Sequence, residues 1–243
     1  GAAIRTVAGE KGVFTAGQLE EAIRPVEYHN PQSRLVSVEQ TSNLGGGYIW
    51  PIDQIEEVCQ TARKYGLATH MDGARLLNAV VASGIEASEY AKFFDSVWID
   101  LSKGLGAPVG SVLAGSEEFI EKARFWKQRL GGAMRQAGII AAGGIYALEN
   151  NIEQLKIDNE NARRLAQGIK DVSFINIDLD SVATNIVIFE LEAITAEEFS
   201  ERLLQQGIRL TVMGDFLMRA VTHLDLDRDD IEYVIKVINE MSL

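Results

Sequence analysis

Cysteine is almost missing from this sequence. Cys59 is the single one among 243 residues, so no disulfide can form within the chain. That excludes a disulfide-stapled scaffold and fits a reducing cytoplasm. Proline is scarce, with four residues, so helices can run uninterrupted and no proline-rich linker divides the chain. Positive charge is in deficit. Lys plus Arg number 23 against 35 Asp plus Glu, a formal net charge of −12. Such a surface repels phosphate, which argues against nucleic acid and against anionic membranes as partners, though not against a small local anion site. No stretch approaches the ~18–20 apolar residues of a membrane span. Three histidines and one cysteine form no zinc-ligand spacing. The acidic run at 225–230 reads as a capped helix start on a solvated face, not as a calcium loop. The glycines form neither a dinucleotide fingerprint nor a phosphate-binding P-loop. The first residues, GAAIRTVAGE, show neither an initiator Met nor a signal-peptide pattern.

What is present is ordinary for a globular protein. Hydrophobic residues make up 47% and charged residues 24%, which excludes disordered and fibrous classes. Thr15 can cap a helix over 15–24, stopped by Pro25. Residues 34–38 (RLVSV) read as a strand and 43–48 (NLGGGY) as a loop. Pro51 suits a helix start, and apolar spacing at Ile52, Ile55, Val58 and Ala62 carries that helix to Gly66. Residues 67–71 (LATHM) read as the next strand, with Asp72 just past its carboxyl end. Helices at 74–83 and 86–93, a strand at 96–101 (SVWIDL) and another at 109–114 follow. This alternation predicts an α/β fold with a largely parallel sheet flanked by helices. Helices at 117–129, 134–150 and 151–170 come next. Strands at 174–177, 185–191, 208–212 and 217–221, with helices at 196–205 and from 229 on, suggest a smaller C-terminal α/β domain. The expected division is 1–150 and 151–243.

Ligands of open α/β sheets sit outside the carboxyl ends of the strands. Two polar residues fall there: Asp72, in HMDGAR, and Lys103, in SKGLGAPVG. Two readings of the pair stand side by side. One is structural: a helix cap for Asp72 and a solvated loop lysine for Lys103. The other is a site for pyridoxal phosphate, which needs a lysine amine to bond its aldehyde and a carboxylate against its ring nitrogen. His70 shares a strand face with Asp72, and proximity alone gives it a packing role.

The wording of three segments goes further. HMDGARLLNA, SVWIDLSKGLGAPVGSVLAGS and LGGAMRQAGIIAAGGIYALE, followed by MRAVTHLD near the C-terminus, resemble the low-specificity L-threonine aldolases, fold-type I pyridoxal phosphate enzymes. The resemblance covers essentially the whole chain in one order. It implies that Lys103 bonds the cofactor and that Asp72 pairs with the pyridine nitrogen. It puts Arg75 near the ring oxygen and the substrate carboxylate, and Arg219 on that carboxylate, where a planar guanidinium can form two parallel hydrogen bonds. It matches His29, in VEYHNPQS, to a histidine near the substrate hydroxyl, the alternative being a loop histidine without a role. Asn43 and the glycines after it resemble a loop near the cofactor, with Ser42 standing where many relatives have histidine. A plain turn is the other reading. Arg129 and Arg135 fall in a region that carries basic residues near the active site, or form a solvated corner, and Gln128 stands where relatives can have lysine.

The expected activity is therefore aldol cleavage of threonine, allo-threonine and related β-hydroxy-α-amino acids to glycine and an aldehyde. The alternatives are another fold-type I β-eliminating lyase, or a non-catalytic fragment. The resemblance also implies a cytoplasmic homo-oligomer, tetramer or dimer, with shared active sites. It implies a further N-terminal segment holding a phosphate-cradling glycine loop and a ring-stacking histidine, neither of which this chain contains.

Overall fold

In a computed structural model, which describes residues 2–242, four strands form a first sheet in the order β1 (Leu35–Glu39), β2 (Ala68–Gly73), β3 (Ser96–Asp100), β4 (Ser111–Gly115). The first three are parallel and β4 returns antiparallel to β3. Helices α1 (Ala16–Ala22), α2 (Ile52–Lys64), α3 (Leu76–Ser83) and α4 (Ala87–Ala91) belong to this part of the chain. The pleat divides the sheet. Val36, Val38, Thr69 and Met71 are buried on one face, where the aliphatic residues join Ile55, Val58 and Ala62 of α2. Burying that apolar stripe holds α2 against the strands. Cys59 lies in the same core, and burial pushes its thiol up to about 12. The opposite face carries Leu35, Ser37, Ala68, His70, Asp72 and Trp98, all exposed or half-exposed.

Helices α5 (Glu117–Arg129), α6 (Gly138–Asn150) and α7 (Gln154–Ile169) lead to the second sheet. Its strands β5 (Ile175–Asn176), β6 (Ile186–Leu191), β7 (Thr211–Val212) and β8 (Leu217–Val221) lie in the order β5-β6-β8-β7, all antiparallel, with α8 (Ala196–Leu204) and α9 (Arg228–Asn239) beside them. The expected division near residue 150 falls in the turn between α6 and α7. Helix α7 serves two cores. Leu155 packs with Leu101 and Leu105 next to the first sheet, while Ala162, Leu165 and Ile169 pack with Phe189 and Phe199 in the C-terminal part.

Local chemistry explains where elements stop. Helix α1 ends at Ala22 because Arg24 precedes Pro25, and a residue before proline is driven out of helical geometry. Helix α6 starts at Gly138, later than the spacing predicts, because Gln136 has φ 52°. Helix α9 opens with a reciprocal cap: Asp227 accepts from the Asp230 amide, and the Asp230 side chain accepts from the Asp227 amide. Replacing Asp227 with alanine should lower stability by about 1 kcal/mol, measured as the shift in urea midpoint. An unchanged midpoint would show that α9 is held by packing alone.

Candidate active site

The site is built at the carboxyl ends of β1, β2 and β3. Strand β2 extends through Gly73, so Asp72 lies inside the ladder, not beyond it. There it stands in register with Glu39 of β1 and Trp98 of β3. Neighbours in one row of a sheet project from the same face, with strands ~4.8 Å apart. Asp72 and Trp98 are therefore side by side on the open face. The Asp72 carboxylate also accepts the Ala74 amide at 3.1 Å, which fixes its direction at the turn into α3. Gly73 is required at this point, since a Cβ there would lie 2.4 Å from the Trp98 carbonyl oxygen.

Lys103 follows β3 in the return to β4. That return is closed by the Leu101 amide on Gly110 O at 3.0 Å and by the Ala107 amide on Leu101 O at 2.8 Å. The lysine Nζ lies 5.6 Å from the Trp98 ring centroid and 3.1 Å from Asp100 Oδ2. The amine is thus on the same face of the sheet as Asp72.

Arg75 opens α3, with its amide on Gln40 O at 3.1 Å. Burial pulls its guanidinium below the ordinary arginine value. Glu39 opposes that, Arg219 adds to it, and Asp100 and Asp72 oppose it. Those influences come from β1, β8, β3 and β2, so they mark a charged cluster gathered from both sheets. Arg219, on β8, donates to Asn43 Oδ1 at 3.0 Å. Its Nε is buried without a hydrogen-bond partner. Asn43 in turn donates its amide to Glu39 Oε2 at 3.0 Å. Beneath Arg75, a cavity of about 10 Å³ lined by Gly73, Asn78, Asp100 and Leu155 has room for a single water. A cofactor ring needs the open face instead.

Lys103, Asp72, Arg75 and Arg219 are brought together; His29 is not. It lies in the exposed loop that enters β1, its imidazole 81% exposed and 3.3 Å from Glu27. Five residues of strand, ~16 Å at ~3.3 Å each, separate that loop from the carboxyl edge. The structure does not bring it to the other four. His70 is half-buried with Nδ1 2.8 Å from Ser96 Oγ, and burial holds its proton affinity below the ordinary value, consistent with a packing role. Ser42 is buried and accepts the Gly45 amide at 3.2 Å, which commits its hydroxyl to the loop. Arg129 stacks over Phe125, 4.3 Å from the ring centroid, on the exposed side of α5. Sequence reasoning missed Glu39 and Asp100. The second was readable from its place two residues after Trp98 on the same strand face.

The sequence matches the beta-eliminating lyase family over residues 1–193. It is 37% identical to a probable low-specificity L-threonine aldolase 2 of Arabidopsis thaliana, over 98% of this chain and 68% of that protein. It is 36% identical to the low specificity L-threonine aldolase of Escherichia coli K12, over 93% of this chain and 66% of that protein. The chain thus spans about two thirds of the length of these relatives. Among solved structures, a putative L-allo-threonine aldolase from Listeria monocytogenes superposes with a TM-score of 0.77 at 23% identity, covering 93% of this chain and 64% of that one. A threonine aldolase of Leishmania major gives 0.78 at 17% identity, covering 95% and 68%. These neighbours share the fold: a mostly parallel sheet flanked by helices with a smaller C-terminal part. On the sequence match and the relatives together, the chain belongs to the beta-eliminating lyase family.

Proposed function

We propose that this chain carries the pyridoxal phosphate site of a threonine aldolase and cleaves threonine, allo-threonine and related β-hydroxy-α-amino acids to glycine and an aldehyde. The observation that carries this reading is the common face of Lys103 and Asp72: the amine over Trp98, and Asp72 in register with that tryptophan. The residues fit the cofactor. The face is open, one end offers a nitrogen nucleophile and the other a carboxylate, and the buried Arg219 Nε is a donor left for an incoming acceptor.

When bound, pyridoxal phosphate supplies an electron sink for the charge left by carbon–carbon cleavage. The chain's residues supply the rest. Lys103 offers the amine that bonds the cofactor aldehyde. Asp72 keeps a proton on the ring nitrogen. Arg75 and Arg219 hold the substrate carboxylate, so that the bond to be broken stays aligned. Asn43 sets the direction of the Arg219 guanidinium through its 3.0 Å hydrogen bond. Assembly of identical copies in the cytoplasm is part of the same proposal. It is supported by the exposed Phe125, Trp126, Leu130 and Met134, apolar surface of a kind that marks an interface. Among the described residues, no helix is long and apolar enough to cross a membrane.

The test is product analysis with pyridoxal phosphate and threonine. Glycine and acetaldehyde in equal amounts are expected. A ketoacid with ammonia would assign β-elimination instead. No product, together with no cofactor-dependent rise in melting temperature, would mean a scaffold that binds nothing here.

A further inference from the structure

We infer that Asp100 parks Lys103, so that the amine becomes available to a carbonyl carbon only when this ion pair opens. The inference rests on the proposed cofactor site, and it concerns a residue that reading leaves without a role.

The pair is built more firmly than an ordinary loop contact. Lys103 Nζ is 3.1 Å from Asp100 Oδ2. The other carboxylate oxygen, Oδ1, accepts the Ser102 amide at 2.9 Å and the Ser102 hydroxyl at 3.0 Å. The backbone beneath is fixed by pairing of Asp100 with Ser111. The Asp100 side chain is 14% exposed. Burial alone would push its carboxyl up. The Ser102 amide, Lys103 and the Ser102 hydroxyl outweigh that and hold it below the ordinary carboxylate range, so it is charged at neutral pH. Arg75 is the other cation that feels Asp100, and Asp72 and Glu39 are the other carboxylates acting on Arg75. The Trp98 ring lies on the remaining side of the amine.

The consequence is chemical. A lysine nitrogen must turn toward a carbonyl carbon to bond it, and a nitrogen held 3.1 Å from a carboxylate oxygen has first to leave that partner. Among the described residues, the ion pair of Lys103 is with Asp100 and not with Asp72. Asp100 is thus a positioning residue: it holds the amine over Trp98, ready but not reactive.

The experiment uses the cofactor-free chain. Trace acetylation with acetic anhydride transfers an acetyl group to the free amine and releases acetate. Peptide mass spectrometry reads Lys103 against Lys127 and Lys156 as internal standards. Asp100→Asn should raise Lys103 labelling about two- to fivefold, the range expected of a partly exposed ion pair. Asp100→Glu should restore slow labelling. Should Asp100→Asn not fold, Asp100→Ala, which removes the carboxylate, should give the same acceleration. Lys103 labelling at the wild-type rate in the folded Asn variant, or in Asp100→Ala, would overturn the inference. Growth of the visible band on adding pyridoxal phosphate separates the two ideas. A faster rise in Asp100→Asn supports both, and a slower one overturns the parking role. Faster acetylation with no band in either protein would leave the ion pair standing and sink the cofactor reading.

Discussion

Lys103→Ala is expected to abolish the visible absorbance that appears when pyridoxal phosphate is added to the wild-type chain, and to lower threonine cleavage at least ~10³-fold, as loss of a covalent nucleophile does. The magnitude follows from what the side chain supplies. In the proposed site Arg75, Arg219 and Asp72 would still bind and orient a substrate, but among the described residues no other amine stands on the Trp98 row. The variant should fold. Lys103 is 38% exposed, and its polar tie is the pair with Asp100. A surface pair of that kind contributes at most about 1 kcal/mol. Far-ultraviolet circular dichroism should therefore match the wild type. If the substituted protein keeps both the band and the cleavage, some other lysine holds the cofactor and the assignment of this edge of the sheet is wrong.

Phe199→Ala is the second large effect, and it concerns the scaffold. Phe199 is fully buried on α8. It meets Phe189 of β6 edge-on at 6.0 Å between ring centroids, and Phe174 at 6.2 Å. Truncating such a residue removes both its transfer energy and its ring contacts, and leaves a cavity. The expected loss is about 3–5 kcal/mol, read from urea unfolding. Phe125→Ala is the control, because that ring is 53% exposed on α5 and should cost no more than ~0.5 kcal/mol in the isolated chain. Similar losses for the two would show that the C-terminal core is not organised around these three rings. The activity consequence is indirect: β8, which carries Arg219, pairs with β6 along its whole length.

Several features of this arrangement were legible in the sequence. Pro51 and the apolar period after it mark α2 almost to the residue, because local propensity and core packing agree there. The two ends of the proposed cofactor site, Lys103 and Asp72, were legible as residue types past strands, but their common face was not. That depended on β2 continuing through Gly73, which the pairing of Glu39, Asp72 and Trp98 decides and no local pattern reveals. The antiparallel return of β4 had a signal that went unused. Ten residues, 101–110, separate it from β3, fewer than a parallel crossover needs. His29 was singled out by the resemblance alone; it lies in an exposed loop six residues before β1, and no local pattern says which groups that loop meets. Arg219 could be joined to Asn43, 176 positions away, only through the resemblance, because nothing local to either residue announces so distant a contact.

Cys59 has a consequence of another kind. Its sulfur is sealed beneath α2 and its proton is held to about pH 12, so maleimides and iodoacetamides, which need a thiolate, find nothing to attack in the native fold. A thiol introduced anywhere on the surface would be the sole point of attachment for a fluorophore or spin label. A pair of such thiols, one on each sheet, would let the distance between the sheets be followed in solution without first removing a native residue.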